Sequence, residues 1–156
     1  MKDSEDTYQN LEDIAVQDLN YVELLHFTLG KENILILTKD LQQLVLPVPY
    51  TYVPMAPDHM LGMANVRGQI ICVLDLAKML DIEVDVNSNE QNHCIILNYQ
   101  RMHIGLVVGV VKGIYRILEE DYAAAKRKKG EHSAMKGSLD YNGLECQVLE
   151  ISRLLK

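Results

Sequence analysis

VLDLAKML (Val73–Leu80) and VLEISRLL (Val148–Leu155) lie 75 residues apart, and at every position the two are identical or chemically similar. The surrounding punctuation repeats as well: Gly62 and Gly68 precede the first copy as Gly137 and Gly143 precede the second. Each unit therefore reads as a glycine, a hairpin, an apolar strand and a short helix. Asp75 and Glu150 stand where negative charge favours a helix start, and Lys78 and Arg153 stand nearer the end, where a cation suits the dipole. Two related small barrels, each closed by a short helix, are the expected architecture.

Outward from the repeat, NILILT, QIICVL, HCIILNY and IGLVVGVVKGIYRI are β-rich runs bounded by turn residues and too short for ordinary helices. If residues 93–99 and 102–108 form a hairpin, His103 opposes Asn98 rather than His93. Strands alternating with full helices are missing, as are Gly-x-Gly-x-x-Gly and Gly-Lys-Thr loops, which argues against a nucleotide-binding α/β fold. A chain of 156 residues, 48% apolar and 24% charged, suits one globular domain with a real core. Its longest apolar stretches fall far short of the roughly 20 residues that span a bilayer. The acidic start, MKDSEDTYQ, lacks the apolar core of a secretion signal, so a cytoplasmic protein with no direct membrane insertion is expected.

The net charge of -7 argues against a protein that holds nucleic acid by neutralising phosphates. Residues 1–20 carry most of that charge, with Lys2 against Asp3, Glu5, Asp6, Glu12, Asp13 and Asp18. They are expected to form an acidic N-terminal arm dispensable for folding. Asn10 could cap a short amphipathic helix through Leu11, Ile14, Ala15, Leu19 and Val22, which would form only when docked on this protein or on a partner.

No side-chain set announces catalysis. Ser133, His132 and Asp140 could be assembled into a triad, but no elbow such as Gly-x-Ser-x-Gly positions the serine. Cys72, Cys94 and Cys146 are widely spaced among apolar residues and read as reduced core thiols, and the five histidines show no metal-ligand spacing. No catalytic residue, metal or cofactor is expected. Glu119, Glu120 and Asp121 read as a solvated connector. The basic run Lys126–Lys129 reads as the end of a surface helix stopped by Gly130, since no aromatic residues are interleaved to stack on bases. Arg67 breaks the repeat, because the equivalent position holds Asn142 in an Asn-Gly pair suited to a tight turn. Folding does not require a cation there, whereas arginine suits a multi-donor contact at an interface.

GMANVRGQIICVLDL (Gly62–Leu76) resembles the signature of the CheW family of chemotaxis coupling proteins, with its Asn-hydrophobic-Arg-Gly turn, apolar strand and Asp-Leu. Leu24–Val45 looks like the family's opening strands, IGLVVGVVKGI like its central hairpin, and MKGSLDYNGLECQVLEISRLL like its closing segment. The resemblance implies a mainly β fold of two interlocked five-stranded SH3-like barrels with short helices. Residues 21–156 then form one CheW-like domain, the first barrel mostly 21–88 and the second mostly 89–156. It also implies a non-catalytic adaptor between the regulatory domain of a CheA-like histidine kinase and the cytoplasmic tip of a methyl-accepting chemoreceptor, at membrane-associated receptor arrays. The alternative implied is an adaptor of a type IV pilus or other non-flagellar chemosensory pathway. Carried over by position, Leu41, Gly62 and Arg67 would lie at or near the receptor-facing groove, with Asn65 and Gly68 completing the binding motif. Gln43 and Gly109 stand where the family usually has an acidic residue.

Overall fold

The β-rich runs are strands in the computed structural model, which describes residues 20–85 and 92–156. In chain order they are β1 (Tyr21–Leu29), β2 (Glu32–Leu37), β3 (Leu41–Val45), β4 (Met60–Val66), β5 (Gln69–Asp75), β6 (His93–Tyr99), β7 (Met102–Val108), β8 (Val111–Leu118), β9 (Met135–Tyr141) and β10 (Leu144–Leu149). Among the described residues three short α-helices punctuate them: α1 (Leu76–Met79), α2 (Glu119–Ala124) and α3 (Ile151–Leu154). One mixed sheet has the order β8-β1-β2-β10-β9 and the other β3-β6-β7-β5-β4. The β2/β10 and β5/β7 pairs are parallel and the rest antiparallel.

Alternation along each strand sends neighbouring side chains to opposite faces, so each sheet contributes to two cores. The larger core lies between the sheets and joins Phe27, Ile34 and Ile36 from one to Ile95, Leu97 and Leu106 from the other. Leu24, Leu35, Ile117, Cys146 and Val148 fill the inner face of the first sheet, and Val66, Ile71, Cys94 and Ile96 that of the second. Each fully buried side chain of this kind contributes about 1.5–3 kcal/mol, which makes the shared core the main bond between the sheets.

Each sheet takes three strands from one side of residues 88 and 89 and two from the other. The β1/β2 hairpin joins β8, β9 and β10, whereas β3, β4 and β5 join the β6/β7 hairpin. Each repeat thus sends its hairpin to one sheet and its three-strand unit to the other. Only the 3-10 turn Thr38–Asp40 separates β2 from β3, and only Gly109 and Val110 separate β7 from β8, and both connectors carry the chain from one sheet into the other. IGLVVGVVKGI is therefore a crossing point between sheets and not a hairpin. Thr28 pins it: its N–H donates to the Val110 carbonyl at 2.9 Å, and its carbonyl accepts the Gly109 N–H at 2.8 Å. A Cβ at Gly109 would lie 2.2 Å from that carbonyl oxygen, so an acidic side chain would displace the crossing.

The repeated glycines have a matching structural use. Single antiparallel bridges, Thr51 to Met63 and Lys126 to Ser138, tie the chain leaving β3 and β8 to the far edge strands β4 and β9. These bridges are again 75 residues apart. A Cβ at Gly62 would meet the Thr51 carbonyl oxygen at 2.3 Å, and one at Gly137 the Lys126 backbone at 2.5 Å. Only glycine lets the chain cross there.

Two further expectations are corrected. The helix expected to run through Lys126–Lys129 ends at Ala124, because Ala125 turns inward to be buried and Lys126 is extended in its bridge. Val22, assigned to an amphipathic helix, belongs to β1, where it pairs with Ile117. Residues 11–19 of that helix lie outside the described residues. In the β6/β7 hairpin Asn98 opposes His103, as the register reading requires.

Candidate functional site

The β4/β5 and β9/β10 turns are built alike. Asn65 Oδ1 accepts the Gly68 N–H at 2.9 Å, and Asp140 Oδ1 accepts the Gly143 N–H at 2.8 Å. The central residues have φ of 52° at Arg67 and 86° at Gly68, against 51° at Asn142 and 84° at Gly143. This left-handed pair matches strand twist in a two-residue hairpin. Asparagine tolerates the first position, whereas arginine pays of the order of 1 kcal/mol there. Arg67 is exposed.

The neighbourhood of Arg67 adds an apolar component that the sequence reading missed. Ile70, across from Asn65 in the β4/β5 register, is 59% exposed, while Ile71 is buried. In QIICVL the alternation requires one of the two isoleucines to face outward, and that was the available signal. An exposed isoleucine beside a strained arginine has the make-up of an interface patch more than of a solvated turn.

The other predicted site residues divide into support and distance. Asn65 and Gly68 shape the turn. Gly62 is buried under the Thr51 backbone and shapes the crossing of the chain. Leu41 opens β3, the opposite edge strand of the sheet, where it is half-buried against the shared core. The structure thus brings Asn65, Arg67 and Gly68 together and sets Leu41 apart.

The enzymatic alternative does not assemble. Asp140 is occupied by its turn, and His132 Nδ1 accepts the Ala134 N–H at 3.0 Å. The Ser133 carbonyl accepts from Arg127 at 3.3 Å, and the Ser133 side chain is exposed. All three cysteines are free thiols, and burial pushes Cys94 up to about 11, the opposite of what a nucleophile needs. Among the described residues no group of three or more His, Cys, Asp or Glu could hold a metal ion, and no helix is long and apolar enough to cross a membrane. In the basic run, Lys128 pairs with Glu145, and Glu131 accepts the Lys128 backbone N–H at 3.1 Å, so carboxylates offset part of its charge.

Comparison with known proteins agrees with this geometry. The profile of the CheW-like domain matches residues 23–156. The chemotaxis protein CheW of Thermotoga maritima is 26% identical over 140 residues, covering 88% of this chain and 90% of that one. A probable chemotaxis protein CheW of Rhizobium etli is 28% identical over 108 residues, with 68% and 69% covered. The crystal structure of the scaffolding protein TtCheW of Thermoanaerobacter tengcongensis superposes with a TM-score of 0.74 at 24% identity, over 83% of this chain and 88% of that one.

Proposed function

The chain belongs to the CheW-like domain family, and on that premise we propose that it couples a CheA-like histidine kinase, through the kinase's regulatory domain, to the cytoplasmic tip of a methyl-accepting chemoreceptor. It is a CheW-like chemotaxis scaffold: its work is to hold partners, not to turn over a substrate. In this reading it acts in the cytoplasm at receptor arrays. Arg67 is the central contact, with Ile70 beside it and Asn65 and Gly68 holding the turn. Gly62 acts indirectly through the chain crossing, and Leu41 reaches a partner from the other edge of the sheet.

The observation that carries the site is the pairing of Arg67 with Asn142. The β4/β5 and β9/β10 turns share one geometry at equivalent places in the repeat, and of this pair only the first carries an arginine in the left-handed region. Replacing Arg67 with Asn tests it. Because asparagine adopts φ of 52° more readily, thermal unfolding should be unchanged or shifted slightly upward, within about 1 kcal/mol. Binding to a receptor tip, measured with and without the kinase regulatory domain, should weaken by about thirtyfold, the loss expected on truncating an interface arginine. Unchanged binding would return Arg67 to the ordinary class of exposed arginines.

A further inference from the structure

Residues 53–56 and 128–131 form the same turn at the repeat spacing. The Val53 carbonyl accepts the Ala56 N–H at 3.3 Å, as the Lys128 carbonyl accepts the Glu131 N–H at 3.2 Å. The next contacts correspond too: the Pro57 carbonyl accepts the Met60 N–H at 2.9 Å, and the His132 carbonyl accepts the Met135 N–H at 3.0 Å. In each turn the third residue is left-handed, with φ of 65° at Met55 and 92° at Gly130. Glycine suits that position, whereas a residue with a Cβ is strained in it. The strain serves no packing within the fold, because Met55 is 99% exposed.

The turn that carries this methionine is firmly held. Thr51 and Met63 exchange backbone hydrogen bonds of 2.7 and 2.9 Å, and the His59 carbonyl accepts the Asp75 N–H at 2.7 Å. Pro54 and Pro57 fix φ on either side of the tip, so little chain entropy remains to be lost when a partner seats on it. Tyr52, three residues before Met55, is 69% exposed. From Leu46 to Pro57 no residue is charged, whereas the corresponding residues 121–132 include Asp121, Lys126–Lys129 and Glu131. A rigid tip of thioether and aromatic surface has no charge with which to hold a phosphate or a lipid headgroup. It complements an uncharged, apolar pocket on a protein.

Position selects the protein. The chain at Thr51 runs antiparallel to β4, so Met55 lies beyond Met60 at one end of that strand and Arg67 beyond Val66 at the other. About 20 Å of strand separates the two ends. A scaffold that holds two partners at once needs anchors set apart in this way, and the coupling role proposed for the chain gives the receptor tip to Arg67. We propose that Met55, flanked by Tyr52, is the anchor for the other partner, the kinase regulatory domain, and inserts into an uncharged apolar pocket on it. This assignment rests on that coupling role.

Met55→Gly in the full chain copies the corresponding turn at Gly130, so thermal unfolding should be unchanged or shifted upward. Affinity for the kinase regulatory domain should fall about tenfold, while affinity for the receptor tip stays the same. Arg67→Asn should give the reverse pattern. Met55→Leu keeps an apolar side chain and should retain most of the kinase-domain affinity. Met55→Asp, which tolerates the left-handed turn but brings a charge to the pocket, should lose at least as much as Met55→Gly. Kinase-domain binding unchanged in both Met55→Gly and Met55→Asp would overturn the proposal and leave the coupling role standing. An equal loss in Met55→Leu would also overturn it, since apolar contact would then not be what the partner reads. A loss at the receptor tip as large as that at the kinase domain would place Met55 in the receptor site and reject the assignment. An unaltered chain that does not bind the kinase regulatory domain would refute the coupling role itself, and this anchor with it.

Discussion

The two sheets share a backbone plan but not an interior. Tyr115 faces Leu24 across the first sheet's ladder as Val45 faces Cys94 across the second, and Tyr141 stands 75 residues after Val66. His26 follows Leu24 by two residues, as Ile96 follows Cys94. Val45, Val66 and Ile96 in one sheet thus correspond to Tyr115, Tyr141 and His26 in the other. The polar set is internally satisfied: His26 Nδ1 lies 2.6 Å from the Tyr115 hydroxyl and Nε2 lies 2.9 Å from Asn33 Oδ1. Tyr115 stacks on Tyr141 with centroids 4.1 Å apart. What the two copies retain is the set of backbone devices: the crossing glycines, the left-handed turns and the acidic helix starts. Interior chemistry is exchangeable so long as every buried polar atom finds a partner.

The largest test of this comparison separates the repeats. Residues 20–85 alone contain a hairpin and a three-strand unit that pair with strands of the other half and not with each other, so this half should not fold as a monomer. The same holds for residues 92–156, and mixing the two should restore the fold. Circular dichroism with size-exclusion chromatography decides it, and a folded monomeric half would break the exchange of hairpins described above. Next in size is the matched pair Gly62→Ala and Gly137→Ala. Each places a methyl within 2.5 Å of backbone atoms that cannot move without breaking a bridge, so each should lose about 3 kcal/mol in denaturant unfolding. A marked inequality would show that the bridges are not equivalent.

Exchanging the interiors gives a smaller effect with a predicted order. His26→Leu strands the Tyr115 hydroxyl and Asn33 Oδ1 at a cost of about 2 kcal/mol, since both keep some access to water. Ile96→His, set among Val66, Ile71 and Cys94, should cost about 3 kcal/mol. Chemical denaturation of both ranks them, and the reverse order would mean that the polar set is not what distinguishes the sheets. The smallest effect is alkaline. Burial raises Cys94 from 9.0 to about 11, so the folded state retains a proton that the unfolded chain releases. The Cys94 contribution is therefore level below pH 9 and falls as pH rises from 9 to 11. Cys94→Ala should flatten that fall more than Cys146→Ala, whose thiol is raised by burial first and then by Asp140 and Glu145.

Much of the proposed site is legible in the sequence. Arg67 stood out because its twin is an asparagine, and the structure supplies the reason that the contrast matters, a shared left-handed turn. Ile70 escaped because a strand of unbroken apolar residues does not say which face is outward. His26 escaped for a different reason: its partners Asn33 and Tyr115 lie 7 and 89 residues away, and only the β1/β8 ladder brings the tyrosine to it. The basic run after α2 was misjudged because charge order imitates a helix end, while the tertiary demand to bury Ala125 and bridge Lys126 to Ser138 ended the helix earlier.

Local rules account for what the sequence determined by itself: period-two alternation made the strands, and Arg67-Gly68 and Asn142-Gly143 made the turns. Asp75 started α1 by accepting the Lys78 N–H, and the glycines at 62 and 137 allowed the chain to cross. Each of these depends on residues close in the chain or on the mere lack of a side chain. Which hairpin joins which three-strand unit was decided only in the tertiary structure. Either pairing would bury the same apolar faces, so hydrophobicity alone does not choose between them. The choice falls to contacts made at the crossings, where Thr28 pairs with Gly109 and Val110, and to the shared core that both sheets then close upon.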